Sequence, residues 1–189
     1  MSSAALKHDI TVDEYLTGEL VSEVKHEFID GEAHAMAGAS MPHNDIALNA
    51  YSALRLKLRG GPCKAHVSDI KVRLLVRGKD IFYYPDLMVG CDPRDTNLFF
   101  LRYPKFIIEV LSPATSRTDR QEKLQNYTSI PSLEEYLLVY QDQAQVILHR
   151  RRSDWTGEVT IGLESTIYLE SVDLALPLAQ LYEDIAGIA

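Results

Sequence analysis

A mixed sheet covered by helices, an α/β fold, is what this 189-residue sequence predicts. Three observations carry that expectation. Stretches of helical and of strand period follow one another in the order helix, three strands, helix, strand. Ile70, Val72, Leu74 and Val76 alternate with Asp69, Lys71 and Arg73, the pattern of a strand whose second set of side chains faces water. Phe106-Ile107-Ile108-Glu109-Val110-Leu111, closed by Ser112-Pro113, is a short apolar run of the kind buried on both faces of a sheet.

The elements follow in order. Thr11 and Glu14 have capping-box spacing and open a short helix to about Val21. His26-Glu27-Phe28-Ile29 and Ala33-His34-Ala35-Met36-Ala37 flank Asp30-Gly31, a hairpin turn pair. Pro42 suits a helix's first turn. Ile46, Ala50, Ala53, Leu54 and Leu58 recur at helical spacing, and Gly60-Gly61-Pro62 ends it. After the alternating strand, Arg77-Gly78-Lys79-Asp80 turns the chain into a strand from about Ile81 to Cys91. Pro85 lies within that strand and points to an edge or a bulge. Cys91 to Tyr103 reads as loop. Beyond the Glu109 strand, Thr118 to about Ile130 reads as a helix, capped by Thr118 and Gln121. Glu135 to Tyr140 and Gln145 to Arg150 are strands joined at Asp142, followed by a strand pair around Trp155-Thr156-Gly157 and a short helix near Leu178 to Ile185.

The composition is that of an ordinary globular chain, and the formal net charge of −8 excludes a generally DNA-coating surface. Basic residues do gather between Arg55 and Arg77 and at Arg150-Arg151-Arg152, runs that most often form a solvated face. Cys63 and Cys91 have no metal-type spacing and read as reduced thiols. The first residues lack an apolar signal region and no run is long enough to span a membrane, so the expected location is cytoplasmic. A Gly-x-Ser-x-Gly elbow, a zincin histidine pair and a P-loop are all absent.

Glu109 is the most informative residue. A carboxylate in so apolar a run loses its water and requires a partner charge or a cation. Asp86, in Tyr84-Pro85-Asp86-Leu87-Met88-Val89, sits one strand earlier. Two acids at corresponding places on adjacent strands suit a hard divalent cation. Lys123, on the next helix, supplies the ammonium that metal-assisted phosphodiester hydrolysis uses to orient a nucleophile or to neutralise developing charge. Plainer roles stay open: a turn cap for Asp86, an ion pair with Lys71, Arg73 or Lys123 for Glu109, and a solvated pair with Asp119 for Lys123.

Pro85-Asp86, Ile108-Glu109-Val110-Leu111-Ser112-Pro113-Ala114-Thr115 and Asp119-Arg120-Gln121-Glu122-Lys123 with Tyr127 together resemble the Uma-type family of bacterial restriction endonucleases. Glu27-Phe28-Ile29-Asp30-Gly31-Glu32, Pro42-His43-Asn44 and Glu135-Tyr136-Leu137-Leu138-Val139 fit it too, so the likeness runs from about Thr11 to Arg152. The resemblance implies a single nuclease-like domain over residues 1–189, with a PD-(D/E)XK core (αβββαβ) preceded by a helix and a β-hairpin. It implies a Mg²⁺-dependent endonuclease, with Mn²⁺ as substitute, that acts on DNA; cutting both strands needs two sites or two turns, so a homodimer is the expected state. Asp86 matches the motif aspartate and Glu109 the second acid, as metal ligands. The motif lysine belongs two residues after Glu109, where Leu111 stands, and Lys123 takes its place. Glu27 and His43 match recurrent family positions and are additional site candidates. A rival reading is a catalytically silent module of the same fold that binds nucleic acid or a protein partner.

Overall fold

The structure, a computed structural model, describes residues 9–112 and 119–188. Helix α1 (Val12–Glu19) begins with the expected capping box: Thr11 Oγ1 accepts from the Glu14 N–H, and the Thr11 N–H donates to Glu14 Oε2 at 2.8 Å. Strands β1 (His26–Ile29) and β2 (Glu32–Ala35) form the hairpin, with Asp30 and Gly31 both at positive φ. A Cβ on Gly31 would come within 3.0 Å of the Asp9 side chain, so both conformation and space call for glycine. Helix α2 (Met41–Lys57) carries Ser40 as its cap, Pro42 in its first turn and Ile46, Ala50, Ala53 and Leu54 on its buried face.

Two corrections concern the next segment. A short strand, β3 (Lys64–Val67), precedes β4 (Lys71–Val76) where no strand was expected. The span from Ile81 to Cys91 is also two strands, β5 (Lys79–Tyr83) and β6 (Leu87–Gly90), which lie in different sheets. Pro85 has no N–H to give a ladder, and the chain passes from one sheet to the other at Tyr84-Pro85-Asp86. After β7 (Phe100–Leu101) and β8 (Pro104–Leu111) comes one turn of π-helix, Asp119–Lys123, and then α3 (Leu124–Tyr127). The Thr118 cap falls outside the described residues. Strands β9 (Glu135–Tyr140) and β10 (Gln145–Arg150) match their expected bounds, and β11 (Gly157–Ile161), β12 (Thr166–Leu169), β13 (Leu174–Pro177) and α4 (Leu178–Leu181) follow.

The strands form a five-stranded sheet ordered β2-β1-β5-β4-β7, a six-stranded sheet ordered β11-β10-β9-β8-β6-β3, and the β12-β13 pair. Both larger sheets are mixed, because β7 runs parallel to β4 and β9 parallel to β8. The segment Asp119–Tyr127 lies in the crossover that parallel pairing of β8 and β9 requires. The two sheets share one apolar layer: Val72, Leu74, Ile81 and Tyr83 from the first meet Met88, Ile107, Leu111, Tyr136 and Leu138 from the second, with Tyr127, Ile130 and Leu133 beside them. Helix α2 and the C-terminal elements pack on the far face of the six-stranded sheet, and α1 covers the outer face of the other.

Two further expectations are overturned. Cys63 and Cys91 are joined in a disulfide rather than reduced. Lys64 pairs with Gly90 across β3 and β6, so the next position outward sets Cys63 opposite Cys91. Lys71, expected to face water, is buried; its ammonium donates to the Tyr84 hydroxyl at 3.1 Å, and burial holds its pKa below the usual lysine value, with Glu19 opposing that shift. Tyr84 donates in turn to Glu19 Oε2 at 2.7 Å, which ties α1 to the crossing segment.

The basic run Arg150–Arg152 is not a free cationic face. The Arg150 guanidinium donates to Glu135 Oε1 at 2.9 Å, to the Tyr168 carbonyl at 2.9 Å and to Glu158. Glu135 also accepts from the Ser171 N–H and hydroxyl and from the Glu170 N–H, so one buried ion pair ties β9, β10 and β11 to the segment after β12. Arg151 donates to the Leu133 and Ile130 carbonyls, and Arg152 pairs with Glu170. Among the described residues no helix is long and apolar enough to cross a membrane.

Candidate active site between the two sheets

Register puts the acids together. Leu87 pairs with Ile108 and Met88 with Ile107, so one further step along β6 and β8 sets Asp86 opposite Glu109. Directly opposed residues of an antiparallel pair share a face, and here it is the face toward the layer between the sheets. Asp86 itself stands just before β6 in the crossing segment, where its Oδ2 accepts the Val110 N–H at 2.7 Å. That bond fixes the carboxylate beside the backbone of the Glu109 strand.

Glu27 arrives from the other sheet. The pairing of Phe28 with Phe82 carries Glu27 alongside Tyr83, and both turn toward the shared layer while Phe28 and Phe82 pack under α1. Lys123 bridges the sheets, 3.0 Å from Glu27 Oε1 and 3.2 Å from Glu109 Oε1. Its side chain is only 8% exposed, so Lys123 does not stand on a solvated face and the ion pair with Glu109 is present; the Asp119 side chain lies outside the described residues. Lys123 ends the π-helical turn, a form frequent at functional sites. Four residues on, Tyr127 lies on the same side and donates its hydroxyl to Glu109 Oε1 at 2.9 Å. Burial first, and then the Glu109 carboxylate, push the Tyr127 phenol well above its ordinary pKa, which keeps it a donor.

Tyr83 completes the floor: the Lys123 ammonium sits 5.3 Å from its ring centroid, its hydroxyl accepts from Asn126 at 2.7 Å, and the same hydroxyl donates to Glu122 at 3.3 Å. His43, in the first turn of α2, places Nε2 2.9 Å from Asp86 Oδ2. The five candidates from the sequence form two linked groups, His43 with Asp86 and Lys123 with Glu27 and Glu109, joined where Asp86 bonds the Val110 backbone N–H beside Glu109. Tyr83 is not among the sequence candidates, and Tyr127 is there only as part of the family likeness, with no role. The spacing of Tyr127 four residues after Lys123 and the shared alternation of Ile81 and Tyr83 were the available signals.

Two buried side-chain atoms among the described residues lack a hydrogen bond, and both are here: Glu27 Oε1 and His43 Nε2. Each is at ion-pair distance from its neighbour without hydrogen-bond alignment. Unmade bonds of this kind are costly in a buried place and mark a site suited to a further group. Among the described residues no three His, Cys, Asp or Glu side chains are gathered to hold a metal ion. A pair of carboxylates is what Mg²⁺ typically takes, since it keeps several waters and completes its shell with substrate phosphate. Asp86 and Glu109 fit that demand.

The comparisons agree with this architecture. A solved structure described as a "putative nuclease belonging to DUF820" from Anabaena variabilis ATCC 29413 is similar with a TM-score of 0.73 at 20% identity, covering 92% of this chain and 97% of that one. The chain is 31% identical over 179 residues to the uncharacterized protein slr1290 of Synechocystis sp., covering 94% of this chain and 93% of the relative. It is 36% identical over 135 residues to the uncharacterized protein sll1609 of the same organism, covering 70% and 75%. Residues 12–179 match the Uma2 family, described as "Putative restriction endonuclease". The fold is restriction-endonuclease-like, and the chain belongs to the Uma2 family.

Proposed function

We propose that this protein is a divalent-metal-dependent endonuclease that hydrolyses phosphodiester bonds of DNA. The observation that carries the reading is the place of Asp86 one step beyond the β6–β8 ladder, opposite Glu109 and bonded to the Val110 N–H, with the Lys123 ammonium 3.2 Å from Glu109. Asp86 and Glu109 would hold Mg²⁺ or Mn²⁺. When bound, such an ion supplies charge neutralisation at the phosphate and a water of lowered pKa. Lys123 orients the attacking water and offsets charge developing on the phosphate oxygens. The Val110 N–H and the Tyr127 hydroxyl hold the two carboxylates in place, and His43 sets the outer side of Asp86. Cutting both strands calls for two such sites, and a two-fold homodimer is the simplest arrangement that supplies them.

Digestion of duplex and single-stranded DNA and of RNA by the purified protein, with Mg²⁺, Mn²⁺ or EDTA, tests the reading. Cleavage of DNA with either ion and none with EDTA is expected. Metal-independent cleavage, or none on any substrate, overturns it. Melting provides a substrate-free check: an ion that binds only the folded state adds RT ln(1 + [L]/Kd), about 2.7 kcal/mol at a hundredfold excess over Kd. The melting temperature should rise with Mg²⁺ or Mn²⁺ and stay put in the Asp86→Asn, Glu109→Gln double variant. An equal rise in both proteins would place the ions elsewhere on this acidic surface.

Lys123→Ala separates catalysis from binding. Lys123 serves as countercharge to both Glu27 and Glu109, and an incoming cation would compete with it. Slower cleavage with equal or tighter Mn²⁺ binding by calorimetry is the expected result. Weaker binding would make Lys123 a support for the metal ligands and not a partner of the water.

A further inference from the structure

A second site lies away from the acids, on the outer edge of β4. Strand β7 covers that edge only at Lys71 and Val72; among the described residues no strand pairs with the outer side of Arg73–Val76. An uncovered edge offers backbone N–H and C=O groups to another chain. Here the edge opens into a cleft of about 560 Å³, lined by Arg73, Leu74, Leu75, Arg102, Ile130 and Pro131 among others. That volume lies in the range of ligand-binding clefts.

The two faces of the edge differ in chemistry. On one, the guanidinium carbons of Arg73 and Arg102 lie 5.8 and 5.6 Å from the centroid of the same Phe100 ring. Arg73 is paired with Asp80 at 2.8 Å, while the Arg102 guanidinium, which is exposed, has no acidic partner among the described residues. On the other face, Leu74 and Ile130 belong to the apolar layer between the sheets. A strand added at this edge would present alternate side chains to the two faces. One set meets the exposed Arg102, the Arg73–Asp80 pair and the exposed Leu75, and the other meets the border of the apolar layer at Leu74 and Ile130.

We propose that the outer edge of β4, from Arg73 to Val76, binds an extended peptide segment of a partner protein whose side chains alternate acidic and apolar. Backbone pairing would provide affinity, and the alternation would provide specificity, as in other cases of strand addition. Charge complementarity with Arg102 selects the acidic set. The apolar border favours a peptide over the backbone of a nucleic acid, whose phosphates are held by basic and polar groups. This inference is independent of the nuclease reading.

The probe is a fluorescent peptide of about six residues, the commonest strand length, alternating glutamate and valine. Three controls accompany it: the lysine–valine counterpart, the acidic peptide with alternate backbone nitrogens methylated, and a short DNA duplex. The acidic peptide should bind by anisotropy and shift the amide resonances of Arg73–Val76. Binding should weaken about tenfold or more in Arg102→Glu, where attraction becomes repulsion, and less in Arg102→Gln, which removes only the charge. Methylation should abolish binding, because it removes donors to the edge. The proposal falls if the wild type does not bind, if the lysine peptide binds as well, if neither Arg102 variant weakens binding, or if the shifted amides lie elsewhere. Displacement of the peptide by duplex DNA at those same amides would make the edge a nucleic-acid contact instead.

Discussion

Under the proposed function, Glu109→Gln is expected to remove metal-dependent cleavage, by well over the roughly 10–100-fold that loss of an outer-shell partner of a metal ligand costs, while leaving the fold intact. The substitution preserves shape and keeps an acceptor for the Tyr127 hydroxyl and for Lys123. What it deletes is a negative charge, and Mg²⁺ is usually held through one or two carboxylates, for which a neutral amide is a weaker substitute. Asp86→Asn acts alike, because the Val110 N–H still finds an acceptor oxygen. Rates over a Mn²⁺ titration, with circular dichroism as the control for folding, check both. Restoration of the full rate at saturating Mn²⁺ would limit these residues to metal affinity; wild-type rates without added metal would remove them from the site.

Arg150→Met lowers stability by about 3–5 kcal/mol, the cost of leaving a buried charge without its partner. Glu135 is 2% exposed and Arg150 6%, so solvent cannot substitute for the lost pair. At about 2–4 °C per kcal/mol for a chain of this size, the melting temperature falls by roughly 6–20 °C. The double variant Glu135→Leu, Arg150→Met regains much of that, since no lone charge remains. It does not regain all, because the Ser171 and Glu170 N–H groups lose their acceptor. A double-mutant cycle by urea unfolding measures the coupling. Additive losses would mean that the pair does not act as a unit.

The sequence made local features legible and long-range ones less so. Thr11 with Glu14, Asp30-Gly31 and the α2 face are written in adjacent residues, and their structures follow from capping, turn and periodicity rules alone. Glu109 and Asp86 could be singled out because a carboxylate among apolar neighbours is costly wherever it sits. Lys71 was misread because alternation assigns a face without saying what covers it; α1 and Tyr84 close over the side presumed wet. The disulfide was missed for a related reason. Its sulfurs meet through β3, whose four residues Lys64–Val67 lack the length and apolar content of a recognisable strand. Tyr127 required the π-helical turn before its direction could be known.

The passage of the chain through Tyr84-Pro85-Asp86 has a consequence for control of the protein. Glu27 rides on one sheet and Glu109 on the other, with Asp86 in the strip that joins them and Lys123 reaching across. The spacing of these groups is thus a gauge of how closely the two sheets approach. A small molecule wedged between them, or a crosslink holding them apart, would silence the acids without touching any one of them. For the proposed endonuclease, inhibition from a distance would then require no dedicated regulatory domain, only a change in the gap.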